Sequence, residues 1–395
     1  MVDDQTPSDP SGISGFIETI KAKPALYGGI GAVVLLAIVL IIVMAAGGGD
    51  DPEATTDTTA PAAGGGETPS ATVADSDATA SDTAAPPGAA DTQPIVAIDR
   101  NPLTGETLET ASTDRVIAVK VDNAPEAGPA IGIQDAELII EAPVEGGLTR
   151  LTAMFFDNEP NVIGPIRSVR PVDADLLVPW KPFLVTTGGQ RFVYQDLVAG
   201  GVEILDEGTD GLFQQIERRE PYHLVATVPL IEQQAGEGTP PVQVLPFGDG
   251  PLDGTPATTI GIPFSGIADV EWTFDADAGT YSRAVAGEPY VIFPEYSVDN
   301  ADLVDFTTDT VIVIKAAQRS AGYTDTAGAD VPTFDVIGFG DVMVFHGGEV
   351  RNGQWLRGAQ SDGWVFLDEG GASFTIPPGR VWLEVVPRFV DVAVQ

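Results

Sequence analysis

The sequence predicts an α+β protein: an N-terminal α/β domain with a mixed sheet, then a mainly antiparallel C-terminal β domain, preceded by one transmembrane helix and a disordered linker. Three observations carry this expectation. An uncharged apolar run lies near the N-terminus, a tract without aromatic residues follows it, and the rest changes its hydrophobic rhythm from strand–glycine–helix alternation to short β-branched runs. At 395 residues the chain also exceeds one ordinary domain of about 150 residues.

Residues 25–46 carry no charge and are dense in Val, Leu and Ile, enough to cross the roughly 30 Å of bilayer hydrocarbon as a helix. Lys21 and Lys23 precede this run, and Asp50, Asp51 and Glu53 follow it. That bias predicts a cytoplasmic tail over 1–24 and an extracytoplasmic location for everything downstream. A cleaved signal peptide is the competing reading, but its apolar region is normally only about 7–15 residues long. Residues 47–94 hold nine acids and neither a base nor an aromatic, so ordering them would cost more entropy than burial returns. A disordered acidic linker is expected there.

The remaining 301 residues alternate short apolar runs with turn signals and are globular. A Pro/Gly-rich stretch over 237–251 divides them into an N-terminal domain, 95–245, and a C-terminal domain, 256–395. In the first, 116–121 (VIAVKV) and 136–141 (AELIIE) read as strands. Gly146 and Gly147 mark a hairpin tip, and Leu151, Ala153 and Phe155 then share one strand face. A strand over 183–187, Gly188 and Gly189, and a helix from Arg191 that stops at Gly200 complete the α/β pattern.

Composition limits the chemistry. A formal charge of −39 predicts repulsion of phosphate backbones, so no nucleic-acid partner is expected. Without cysteine there is no disulfide, thiolate metal site or cysteine nucleophile, and two histidines leave little for a metal centre; no metal and no cofactor are expected. The hydrolase elbow, the phosphate-binding loop and the zinc-protease helix motif are absent. Against this acidic background Arg150, Arg167, Arg170 and Arg191 stand out near Glu145, Gly188 and Gly189. If they converge, they form a cationic pocket for a carboxylate or phosphate. The alternative is that Arg150 and Arg167 pair internally with Glu141, Glu145 or Asp173 and order a loop.

Three blocks carry a family likeness: EGGLTR at 145–150, GPIRSVRP at 164–171 with TGG at 187–189, and GRVWLEVVP at 379–387. Together they resemble the YerB-like bacterial envelope proteins, a two-part family without an assigned activity, and the resemblance covers nearly all of 100–390. It implies extracytoplasmic placement. Members are often lipoproteins held by an N-terminal cysteine; this chain has none and would use its apolar helix instead. Pro221-Tyr222-His223 stands where the family leads one to expect a Pro-His pair.

In the C-terminal half, runs at 270–274, 280–285, 311–315, 342–345, 364–367 and 381–386 read as strands, with a hairpin turn expected at Asn352-Gly353 and a tight turn at Pro377-Pro378-Gly379. Trp355, Trp364 and Trp382 would either fill the core or line a sugar-stacking surface. These readings predict a membrane-tethered extracytoplasmic protein that binds cell-wall material or a wall-building protein through Glu145, Arg150, Arg167, Arg170, Gly188, Gly189 and Arg191. The alternatives are an envelope glycan hydrolase using a carboxylate such as Glu145, with Glu141 as its pair, and a scaffold that serves only protein contacts.

Overall fold

The last long strand of the chain lies at the centre of its main sheet. The computed structural model describes residues 97–395 apart from 210, 236–239, 242 and 297–301. Numbered along the chain, the strands that position the site are β1 (Ile117–Asp122), β2 (Leu138–Pro143), β3 (Thr149–Phe155), β4 (Phe183–Val185) and β5 (Glu203–Leu205). They continue with β6 (Thr259–Pro263), β7 (Asp269–Asp275), β8 (Thr280–Val285), β9 (Thr310–Thr324) and β10 (Asp330–Asp335). The series closes with β11 (Gly338–His346), β12 (Glu349–Arg357), β13 (Val365–Leu367), β14 (Ser373–Phe374) and β15 (Val381–Pro387). The helices are α1 (Pro171–Leu177), α2 (Arg191–Ala199) and α3 (Val228–Ala235).

The main sheet runs β14-β13-β12-β11-β9-β15-β2-β3-β1-β4-β5. Strand β15 pairs in parallel with β9 on one side and with β2 on the other, so strands from both halves form one continuous hydrogen-bonded surface. Every residue of β15 is buried, as is every residue of β1. Alternate side chains serve different cores. Val381, Leu383 and Val385 face the core that contains Leu177, Val193 and Leu197 of α1 and α2. Trp382 and Val386 face Ile260, Val270, Trp272 and Tyr281 of the second sheet, in which β8-β7-β6 are neighbours.

This arrangement corrects the expected fold class. The protein is mainly β, and the first half is not an α/β domain: among the described residues the helices span only 7, 9 and 8 residues. Strands such as VIAVKV read as α/β because both their faces are buried, which in a parallel sheet normally means helices on both sides. Here a second β-sheet covers one face. The C-terminal half is not simply antiparallel either, because its closing strand pairs in parallel both with β9 of its own half and with β2. The expected membrane span at 25–46, with the tail before it and the linker after it, lies outside the described residues. No helix among those described is long and apolar enough to cross a membrane.

Two local expectations also change. Asn352 and Gly353 lie within β12, paired with Met343 and Val342, and the hairpin turns instead at Gly347-Gly348, with φ of 60° and 78°. Gly353 is there for space: a Cβ would lie 2.2 Å from the Leu367 carbonyl oxygen. Within the Pro/Gly-rich stretch Val244 and Leu245 are packed down, each 1% exposed, with the Trp364 amide donating to the Val244 carbonyl at 2.7 Å.

Candidate functional site: an arginine mouth and a buried carboxylate seam

On the helix-covered face, Ala118 and Met154 join the apolar core, while Lys120 and Asp122 of β1 and Arg150 and Thr152 of β3 are polar. Antiparallel register sets Lys120 opposite Thr152 and Asp122 opposite Arg150. Lys120 Nζ donates to Thr152 Oγ1 at 2.8 Å and to Asp173 Oδ1 at 2.9 Å. Asp173 lies in the first turn of α1, where its other oxygen accepts from the Arg170 amide at 2.6 Å and Pro171 opens the helix. One carboxylate therefore both caps the helix and pairs with the buried lysine.

The loop 164–170 lies along β1, with the Arg167 amide donating to the Lys120 carbonyl and the Ile166 amide to the Leu224 carbonyl, both at 2.8 Å. Gly164 permits this approach, because a Cβ would sit 2.9 Å from Val225 Cγ1. Arg170 forks onto Glu145, with Nε to Oε2 at 2.7 Å and Nη2 to Oε1. The Arg167 guanidinium pairs with Asp122 but lacks ideal hydrogen-bond alignment at Nε, and it lies 5.7 Å from the Tyr222 ring centroid. Arg150, 4% exposed, donates Nη1 to the Ser168 carbonyl at 2.9 Å, and its Nη2 stands 3.9 Å from Glu145 Oε1. The Arg150 side chain makes no other hydrogen bond among the described residues.

Of the residues singled out in the sequence, Glu145, Arg150, Arg167 and Arg170 thus converge. Gly188 joins them through its carbonyl, which accepts from the Val169 amide at 2.9 Å. Gly189 packs underneath, where a Cβ would lie 2.4 Å from Val169 Cγ2. Arg191 does not join: it is exposed at the start of α2, with no ion pair among the described residues, beside a shallow depression bordered by Tyr194 and Gln195. Lys120, Asp122 and Asp173 complete the cluster, giving four cations against three carboxylates.

This imbalance shapes the electrostatics. Burial, and then the charges of Arg170 and Arg167, lower Arg150 to about 10, so it stays charged at neutral pH. Burial also lowers Lys120, opposed by Asp173. For Glu145 burial pushes upward, but the hydrogen bonds and charge of Arg170, together with Arg150, outweigh it and hold the carboxyl at about 2. A carboxylate so held and bonded at both oxygens has no proton to donate at neutral pH, which argues against its use as a general acid.

The opposite face of the same sheet holds a second polar network. Parallel register sets Glu384 of β15 directly beside Glu141 of β2. Arg283 of β8 donates from Nη2 to both oxygens of Glu141, at 2.9 and 2.8 Å, and both side chains are 0% exposed. Glu141 also accepts from Thr149 Oγ1 at 2.5 Å, Asn123 Nδ2 at 3.1 Å and Trp382 Nε1 at 3.1 Å. Trp272 Nε1 donates to Glu384 Oε1 at 3.0 Å. The Arg283 guanidinium lies against the rings of Tyr290 and Trp382, at 4.3 and 4.9 Å. The guanidinium bonds Glu141 alone, leaving Glu384 with only the Trp272 indole, and burial, followed by the charge of Glu141, raises Glu384 well above the carboxylate range. Glu141 is sealed from solvent and paired with Arg283, not with Glu145.

Sequence reasoning missed Lys120, Arg283 and Glu384, and named Asp173 as a partner for Arg150 or Arg167 where it pairs with Lys120. The available signal was a single charge inside a wholly apolar strand, as in VIAVKV and VWLEVV, because such a charge stays buried only with a partner. Trp355, Trp364 and Trp382, at 0%, 4% and 0% exposure, belong to the core and line no sugar surface. Among the described residues no group of three or more His, Asp or Glu side chains is placed to hold a metal ion.

Known proteins match this architecture in two pieces. Residues 103–240 match the "Protein of unknown function (DUF3048) N-terminal domain" and residues 260–383 match the corresponding C-terminal domain. "Putative lipoprotein YerB" of Bacillus subtilis (strain 168) is 24% identical over 299 residues, covering 72% of this chain and 86% of that protein. The crystal structure of YerB protein from Bacillus subtilis has the same fold, with a TM-score of 0.60 at 22% identity over 74% of this chain and 99% of that one. The chain belongs to the YerB-like two-part family, whose N- and C-terminal DUF3048 domains it carries in order.

Proposed function

We propose that this protein is held at the outer face of a cell membrane by residues 25–46 and captures an anionic envelope component at the arginine mouth. The lipoprotein designation of its relative supports the placement, and the lysines before the apolar run support the orientation. One observation carries the binding role: in a chain of formal charge −39, four cations meet three carboxylates, and the least compensated, Arg150, keeps donors without a hydrogen-bond partner among the described residues. A buried surplus charge is costly, so a carboxylate or phosphate that neutralises it gains free energy on entering. Arg167 and Arg170, at 23% and 14% side-chain exposure, form the rim.

The test is co-sedimentation of the full chain, in detergent, with purified cell-wall sacculi. Wild type should be captured in a salt-sensitive manner, and Arg150→Gln should weaken capture by about tenfold or more, the value of a charge-assisted hydrogen bond. Equal capture by an Arg150→Gln protein that melts like wild type would overturn the reading.

A further inference from the structure

The arginine mouth has an aromatic edge supplied by both halves of the chain. Phe192, in the first turn of α2, is 42% exposed although aromatic. Its ring meets that of Tyr323 edge to face, with centroids 5.8 Å apart and planes at 83°. Tyr323 is near the end of β9, the longest strand, whose outer part pairs with β10 to form a hairpin of the C-terminal half. Strand β10 packs on the turn that carries Glu145 and on α1. The hairpin therefore brings Tyr323 within electrostatic reach of Arg170, Glu145 and Arg150. An edge-to-face contact occupies the edge of one ring and leaves other aromatic surface available for contact. Phe192 is exposed and Tyr323 half-buried, whereas Trp355, Trp382 and Phe366 in the core are 0% exposed.

We infer that the anionic ligand is an acidic glycan, its carboxylate held by Arg150, Arg167 and Arg170 and a sugar ring resting on Phe192 and Tyr323. Guanidinium forks match a planar carboxylate, and the apolar C–H face of a pyranose matches an aromatic ring. The inference rests on the anion-binding reading and adds the chemistry of the ligand body. It also makes the site composite, since neither half supplies both the cations and the whole aromatic edge.

Calorimetry on the full chain in detergent separates the possibilities, with trigalacturonic acid, maltotriose and inorganic phosphate as probes. Wild type should bind trigalacturonic acid and phosphate but not the neutral maltotriose. The double variant Phe192→Ala, Tyr323→Ala should lose about tenfold or more of its affinity for trigalacturonic acid while holding phosphate as before, and Tyr323→Phe should retain both. Unchanged binding of trigalacturonic acid by the double variant, or phosphate binding without trigalacturonic acid binding, would overturn the glycan inference and leave the anion mouth standing. If neither acidic probe binds, the anion reading falls and this inference with it.

Discussion

The two polar networks lie on opposite faces of the same sheet and are built with opposite charge balance. On the helix-covered face Lys120, Arg150, Arg167 and Arg170 outnumber their carboxylates; on the face toward the second sheet Glu141 and Glu384 lie side by side and Arg283, bonded to Glu141, is the one cation of the network among the described residues. The first network reaches the surface at Arg167 and Arg170, whereas Glu141, Arg283 and Glu384 have no exposed side chain. A surplus cation near solvent is neutralised by an incoming anion. A surplus carboxylate sealed from solvent is neutralised by a proton. Burying charge in a β-sheet therefore has two outcomes here, a candidate binding site and an internal clasp between the halves, and access decides which.

The largest effect expected from breaking this contrast is at Arg283. Arg283→Ala leaves Glu141 buried without its counter-ion and should cost about 3–5 kcal/mol in chemical denaturation. Arg170→Ala, at the partly exposed mouth, should cost less, on the order of 1–3 kcal/mol. The reverse ranking would mean that the mouth, not the seam, holds the halves together.

The pH dependence should carry opposite signs in the two regions. Glu384 is raised in the folded protein, so its contribution is fully present below the ordinary value of 4.5 and is lost as pH rises through its folded value. Glu137, buried just before β2 outside both networks and accepting from the Asp157 amide at 3.1 Å, is raised by burial to about 7 and acts in the same direction. Glu145, held at about 2, contributes stability above 4.5 that is lost as pH falls toward 2. Melting temperature should therefore decline from about pH 5 to about pH 8 in the wild type, less steeply in Glu384→Gln, while Glu145→Gln flattens only the acid limb. An unchanged alkaline slope in Glu384→Gln would show that the seam carries no shared proton.

The smallest effect is expected at Arg191, which stands apart from both networks. Arg191→Ala should change stability by no more than about 0.5 kcal/mol. A larger loss would place this side chain in a contact that joins it to the mouth.

Much of the local structure was legible from single segments. Strands formed where β-branched runs stood, Gly146 and Gly147 turned the hairpin with φ of 74° and 75°, and the helix from Arg191 stopped at Gly200. Asn352-Gly353 was not legible, because the same pair that favours a tight turn also suits a strand where a neighbouring backbone comes too close for a Cβ. At the site, Arg150, Arg167 and Arg170 stood out as arginines among acids, but the partner of Arg167 was Asp122, chosen by the pairing of β1 with β3 and the path of the 164–170 loop.

Composition and local pattern alone determined the acidity, the lack of cysteine chemistry, the apolar run at 25–46, most strand positions and the presence of a few arginines beside a glycine-rich turn. These depend on residues close together in the chain, where backbone propensity and hydrophobic period act directly. Tertiary structure decided that a second sheet rather than helices would cover the central strands, that β15 would enter between β2 and β9, and that Glu141 would meet Arg283 across 142 residues of sequence. A buried charge takes its partner from whichever strand packs against it, and that neighbour is set by the folding of the whole chain.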